Sequence, residues 1–107
     1  MKNVSKITCE NGAGFVQEFR VVWKEGEHTR VSDWTSGRYP NPQSKTVELS
    51  QFGIPVGSEV WVEVHAIAGK TKQAGDHVAY SPDSSDAAWY KTTGTTLIYS
   101  CLLYTSP

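Results

Sequence analysis

Three side chains with complementary chemistry alternate along one short segment of this chain: Trp61, Glu63 and His65. A spacing of two residues places all three on one face of a β-strand, about 6.5–7 Å apart per step. A flat aromatic ring can cover the apolar C–H groups of a sugar, while a carboxylate and an imidazole bond its hydroxyl groups. The spacing therefore predicts a glycan-binding face. The alternative is that Trp61 packs beneath a neighbouring loop while Glu63 and His65 are merely solvated.

The strand that positions these residues is predicted from its opposite face, which carries only small or β-branched apolar side chains: Val60, Val62, Val64, Ala66 and Ala68. Such a face is typical of a strand that packs on a core. A turn containing Pro55 and Gly57 separates this strand from an earlier one at residues 46–50. We expect the valine face to pack against the alternating segment 15–24.

The rest of the chain also favours strands, because turn-forming residues interrupt it every several positions. Asn11-Gly12 is a pair typical of a hairpin turn, and residues 70–76 read as a polar loop. No segment of useful length has helical periodicity. Strands are predicted at residues 4–9, 15–24, 28–34, 46–50, 59–68, 77–80, 87–92 and 95–100. We predict an all-β fold, a single antiparallel β-sandwich of about seven to eight strands.

Two fragments resemble the fibronectin type III and immunoglobulin-like sandwich domains: Phe19-Arg20-Val21-Val22-Trp23, and the segment from Gly57 to Ala66. The first is similar to the second strand of that fold, and the other to a later strand that follows a Pro-Gly turn. The resemblance implies an immunoglobulin-like sandwich with Trp23 in its core. It implies no function, because this fold serves many.

Aromatic side chains elsewhere add candidates for the ligand site. Trp89 and Tyr90 face opposite ways on a strand, so one of the two is predicted to lie outside the core. We expect Trp89 in the core, and Tyr90 or Trp34 as a further aromatic platform for the ligand.

Catalytic motifs are absent from the sequence. It has no nucleophile elbow, no glycine-rich phosphate loop and no Cys/His pair of recognisable spacing. Asp83 and Asp86 lie in a turn-forming SPDSSD segment whose spacing matches no metal motif. We therefore predict a protein that is not an enzyme, with no cofactor and no metal.

The charge distribution limits the classes of partner that the sequence predicts. The formal net charge is −1, and no basic stripe indicates nucleic acid. No apolar run approaches the roughly 18 residues of a membrane span, and no signal peptide is visible. The sequence is compatible with a cytoplasmic protein and with a mature secreted domain.

The last seven residues, Cys101 to Pro107, resemble the translation of a transposon-end sequencing adapter, as in an assembled metagenomic read. We expect residues 1–100 to be the native domain and residues 101–107 to be a non-native tail. The alternative is a genuine terminal strand. On the first interpretation Cys101 is not native, so a disulfide to Cys9 is not assumed.

These observations together predict a non-catalytic recognition module that binds a glycan. The alternative is a self-assembling or structural protein-interaction domain, in which exposed edge strands pair with copies of the chain to form a homo-oligomer.

Overall fold

The computed structural model describes residues 1–67, 69–95 and 99–105. In chain order these residues form strands β1 (Asn3–Val4), β2 (Lys6–Asn11), β3 (Gln17–Glu25), β4 (His28–Val31), β5 (Ser44–Glu48), β6 (Glu59–Ala66), β7 (Thr71–Gln73), β8 (Val78–Tyr80), β9 (Ala87–Gly94) and β10 (Tyr99–Thr105). A short 3-10 helix, Leu49–Phe52, lies between β5 and β6.

The strands form two sheets. One has six strands in the order β1-β8-β6-β3-β4, with β7 also paired to β6, and the other has four in the order β10-β9-β2-β5. Their inner faces enclose one apolar core. The predicted all-β, two-sheet sandwich is confirmed. Trp23 lies in the core and stacks on Phe52 at a centroid distance of 6.0 Å, as the family resemblance implies.

The centre of the six-stranded sheet is the antiparallel pair β3–β6. Its register places Phe19 opposite Val64, Val21 opposite Val62, and Trp23 opposite Val60. All six side chains are buried. The predicted packing of the valine face against residues 15–24 is therefore confirmed, apart from Ala68, which lies outside the described residues.

Pairing differs from the prediction in two respects. The pairs β1–β8 and β2–β9 are parallel, whereas the prediction was of an antiparallel sandwich. The segment expected to be a polar loop contains β7, all of whose residues are exposed. Both differences have one cause. Strand direction and edge pairing depend on partner strands far away in sequence, and the alternation of side chains within one strand carries no information about those partners.

The Asn11-Gly12 pair does not form a hairpin, because β2 and β3 belong to different sheets. Asn11 is fully buried where the chain crosses between them. Its Nδ2 donates to the carbonyl oxygens of Phe15 at 2.7 Å and Tyr39 at 3.0 Å, and its Oδ1 accepts from the amide of Ala13 at 2.9 Å. One side chain therefore satisfies three backbone groups of the crossover.

The expected tail supplies most of β10, which pairs antiparallel with β9 along seven residues. That residues 101–107 are non-native stays a prediction, and residues 106 and 107 lie outside the described part, as do residues 96–98 of the predicted last strand. β9 lies between β2 and β10, so the backbones at Cys9 and Cys101 are two strand spacings apart across the sheet, roughly 9–10 Å. They are also offset by two residues along β9, because Cys9 is opposite Tyr90 and Cys101 is opposite Thr92. That separation is too wide for a disulfide.

We predict that Asn11→Ala lowers the free energy of unfolding by about 2–4 kcal/mol, because three backbone groups lose a buried hydrogen-bond partner. Urea denaturation followed by circular dichroism measures the loss. The matched control is Asn41→Ala, since Asn41 is exposed and makes one such bond, to the carbonyl oxygen of Ala13 at 3.0 Å. Equal losses in the two variants would contradict the structural role given to Asn11.

Candidate functional site

The outer face of β6 carries the three residues predicted to form the site. Strand β7 lies beside it in antiparallel register, with Thr71 opposite His65 and Gln73 opposite Glu63. Trp61 is only 4% exposed. The imidazole of His77 stacks on its indole with the ring centroids 3.9 Å apart and the planes 12° from parallel. The expectation of an exposed Trp61 ring is wrong, because the segment before β8 covers it.

Polar side chains from β7 bond all three members of the predicted trio. The indole N–H of Trp61 donates to Oε1 of Gln73 at 2.9 Å, and Nε2 of Gln73 donates to Oε2 of Glu63 at 3.1 Å. Nδ1 of His65 lies 2.8 Å from Oγ1 of Thr71. The structure therefore does bring Trp61, Glu63 and His65 onto one face, and it fixes each of them through a partner on the neighbouring strand.

His77 links the stacked pair to a carboxylate. Its Nδ1–H donates to Oε2 of Glu59 at 2.9 Å, and Glu59 lies two residues before Trp61 on the same face of β6. This hydrogen bond lowers the pKa of Glu59, partial burial opposes the shift, and the charges of His77 and Lys24 lower it further. Four residues of β6 thus form one row on its outer face: Glu59, Trp61, Glu63 and His65.

Neither additional aromatic platform joins this row. Tyr90 is fully buried, and its hydroxyl donates to the carbonyl oxygen of Asp76 at 2.8 Å. The prediction of Tyr90 as an exposed platform is wrong, because its position on β9 points into the core. Trp34 is half-buried and packs edge-on against Phe19 at 5.3 Å. Since Phe19 lies on the inner face of β3, the sheet separates Trp34 from Trp61.

Trp89 is a further aromatic residue whose position differs from the prediction. It lies half-buried on the outer face of the four-stranded sheet, where its indole N–H donates to Oε1 of Glu10 at 3.0 Å. The expectation that it belongs to the core is therefore wrong. Alternation places Lys91 on the same face as Trp89, and that lysine was the available signal that this face is the outer one.

Other kinds of site find little support in the described part of the chain. No group of three His, Cys, Asp or Glu side chains there is placed to hold a metal ion. No helix within that part has the length and apolar character needed to cross a membrane. A depression of about 440 Å³ at one end of the sandwich is open and has no charged side chain in its lining, which consists of Ala13, Gly14, Phe15, Val16, Pro40 and Asn41.

Comparison with known proteins gives structural matches only. No protein-family model matches the chain, and no curated protein does. The fold is similar to listeriolysin O, with 14% identity over 96% of this chain and 22% of that one, and a TM-score of 0.53. It is similar to a structure described as the sugar-binding protein pneumolysin, with 11% identity over 96% of this chain and 23% of that one, and a TM-score of 0.51.

A third match shows which part of those proteins corresponds. The structure of the membrane-binding domain of pneumolysin matches at 10% identity over 95% of this chain and 96% of that one, with a TM-score of 0.52. The likeness shows the fold alone. The sandwich of this chain is similar to the immunoglobulin-like fold of domain 4 in the cholesterol-dependent cytolysins. This chain spans less than a quarter of the two longer proteins. The domain matched over its length is a binding domain rather than an enzyme, in agreement with the prediction.

We predict that Glu59→Gln lowers the thermal unfolding midpoint at neutral pH, and that the difference from wild type narrows as the pH falls. A carboxylate whose folded pKa lies below its ordinary value of 4.5 stabilises the fold above that value. This contribution is lost as the pH falls through the lowered folded pKa. Differential scanning fluorimetry between about pH 7 and pH 3 measures both midpoints.

The matched control for this pH series is Glu27→Gln, in the exposed turn between β3 and β4. We expect no pH-dependent difference of this kind at that position. A difference between the unfolding midpoints of wild type and Glu59→Gln that stays constant down to the lowest pH of the series would contradict the stabilising role of the Glu59–His77 contact.

Proposed function

We propose that this chain is a non-catalytic recognition module that binds glycans on the outer face of its six-stranded sheet. Glu63 and His65 bond hydroxyl groups of the ligand, as expected from the sequence. The site also includes Gln73, Thr71 and His77. One observation carries the proposal: two hydrogen-bonded polar pairs, Glu63–Gln73 and His65–Thr71, lie beside a flat ring pair, His77 on Trp61. We call this set of side chains the His77 face.

A polyhydroxylated ligand needs donors and acceptors that are already held in place, because ordering each long side chain costs about 0.5–1.5 kcal/mol on binding. On the His77 face the internal hydrogen bonds have already limited the rotamers of Gln73, Glu63 and His65. Their remaining lone pairs and N–H groups are available to a ligand, since Gln73 is exposed and Glu63 and His65 are only partly buried. The arrangement therefore favours a ligand rich in hydroxyl groups.

The aromatic part of the site differs from a bare tryptophan platform. The imidazole of His77 is 28% exposed, and its inner side rests on Trp61. In the proposed mode a sugar ring contacts the outer side of the imidazole, and Trp61 supports it from beneath. Trp61 is thus a positioning residue for His77, whereas Glu63, His65 and Gln73 contact the ligand.

The fold likeness is compatible with this proposal. Of the matched structures, one is described as a sugar-binding protein and one as a membrane-binding domain. Those descriptions belong to pneumolysin. For this chain they favour a glycan displayed on a surface as the ligand class.

We predict that wild-type protein binds a subset of a glycan array, and that His77→Ala and Gln73→Ala each weaken that binding at least about tenfold, the equivalent of about 1.4 kcal/mol. His77→Ala removes the flat ring, and Gln73→Ala releases Glu63. Biolayer interferometry with the strongest glycan from the array measures the affinities. Circular dichroism melts establish that each variant is folded.

The matched control is His28→Ala, because His28 is an exposed histidine on β4 of the same sheet, outside the His77 face. We expect it to bind like wild type. Absence of binding to every glycan on the array, or wild-type affinity in both His77→Ala and Gln73→Ala, would refute the proposal.

Self-assembly is the second candidate function, and the edge strand β4 favours it. All four of its residues are exposed, β3 is its one partner among the described strands, and Val31 is 42% exposed. A free edge of this kind can pair with the same edge of a second copy. Sedimentation velocity tests this: concentration-dependent dimerisation that Val31→Lys abolishes supports it, and a monomer throughout the concentration series removes it.

A further inference from the structure

The outer face of the four-stranded sheet presents a second flat aromatic ring, on the opposite side of the sandwich from the His77 face. Trp89 stands on β9 directly opposite Thr8 of β2. Its indole N–H reaches Oε1 of Glu10, two residues further along β2, at 3.0 Å. The ring therefore extends across the neighbouring strand.

The burial of Thr8 indicates how the ring lies. Thr8 faces outward with Lys6 and Glu10, yet it is only 5% exposed. Its hydroxyl is 2.7 Å from that of Thr46 on β5. An indole that spans from β9 to Glu10 covers Thr8, so one face of the ring rests on the sheet. Trp89 as a whole is half-buried, so part of the indole remains exposed to solvent.

Charges around this ring balance. Nζ of Lys91 lies 3.8 Å from Oε2 of Glu10, and Lys6 stands opposite Glu48 in the register of β2 and β5. Two positive and two negative side chains leave the described part of this face without net charge. A neutral, hydroxyl-bearing ligand complements such a surface, whereas a polyanion or an anionic lipid gains nothing from it.

Exposed apolar side chains give no support for a protein partner or a bilayer on β2, β5 and β9, the three strands of this sheet whose side chains the structure describes. The large apolar side chains that are exposed in the described part of the chain are Met1, Val16, Val31 and Val56. None of them belongs to β2, β5 or β9. On β2, β5 and β9, Trp89 is thus an aromatic ring among polar, charge-balanced side chains, an arrangement that suits the mixed apolar and hydroxyl faces of a pyranose.

We propose that this face is a second saccharide site. A pyranose ring stacks on the exposed part of the Trp89 indole, the carboxylate of Glu10 accepts from its hydroxyl groups, and the ammonium of Lys91 donates to them. The site shares its ligand class with the function proposed above, and it uses none of the same residues. Two such sites on opposite outer faces make the domain able to bridge two glycan chains.

The test is an NMR titration of the ¹⁵N-labelled protein with three probes: methyl β-D-glucopyranoside, methyl β-D-galactopyranoside and methyl α-D-mannopyranoside. Trp89→Phe assigns the indole N–H signal of Trp89 among the four tryptophans. We expect at least one glycoside to shift that signal in a saturable manner. Glu10→Gln keeps an acceptor for the indole and removes the charge, and it is expected to weaken this titration about fivefold.

The matched control is Glu27→Gln, an equivalent change on an exposed turn, which should titrate like wild type. The side-chain amide of Gln73 and the imidazole of His77 report the first site independently. Saturable shifts at Trp89 support the second site whether or not Gln73 and His77 respond. Shifts confined to Gln73 and His77, or no shift with any of the three glycosides, overturn it.

Discussion

The register between β3 and β6 is the constraint on which the rest of the structure depends. Seven residues of each strand pair, from Gln17 opposite Ala66 to Trp23 opposite Val60. The pairing places Phe19 and Val21 against the valines of β6 on the inner face, and Val22 beside Trp61 on the outer one. A shift of one residue would exchange the two faces, exposing the valines and burying Glu63 and His65. Because that exchange is costly, the register determines both which side chains form the core and which form the candidate site.

A large indole on the outer face of a sheet creates a second requirement, because Trp61 would expose its apolar ring unless another part of the chain covered it. The residues between β6 and β8 supply the cover. Gln73 on β7 accepts the indole N–H, and His77 stacks on the ring. The same cover orients Glu63 through Gln73 and holds Glu59 through His77. Burial of one side chain therefore organises most polar groups of the His77 face.

Sequence alone predicts the parts of this arrangement that depend on alternation. Val60, Val62 and Val64 share one face of β6, Trp61, Glu63 and His65 share the other, and the valines indicate which is inner. It does not predict the cover, because β7 consists of Thr71, Lys72 and Gln73, three polar residues whose strand conformation comes from pairing with β6. On β9, alternation separates Trp89 from Tyr90 but leaves open which is buried. That choice depends on the parallel pairing with β2, and it puts Tyr90 beside buried Cys9 and Trp89 beside Thr8.

Most residues of the two candidate sites lie on paired strands, and His77, in the segment before β8, is the exception. A ligand site needs side chains held within about 0.5 Å of their binding geometry, and paired strands hold them better than loops do. Trp61 and Trp89 both satisfy their indole N–H through a side chain on an adjacent strand, Gln73 in one case and Glu10 in the other. An indole hydrogen bond to a neighbouring strand thus fixes one tryptophan on each sheet, but the exposure of the two side chains differs. Trp61 is only 4% exposed beneath the stacked imidazole of His77, whereas Trp89 stays half-buried at the surface of its sheet. At 10–14% identity to the matched structures, the sandwich is the shared part, and residues such as these on its outer faces are where this chain's own specificity has to be sought.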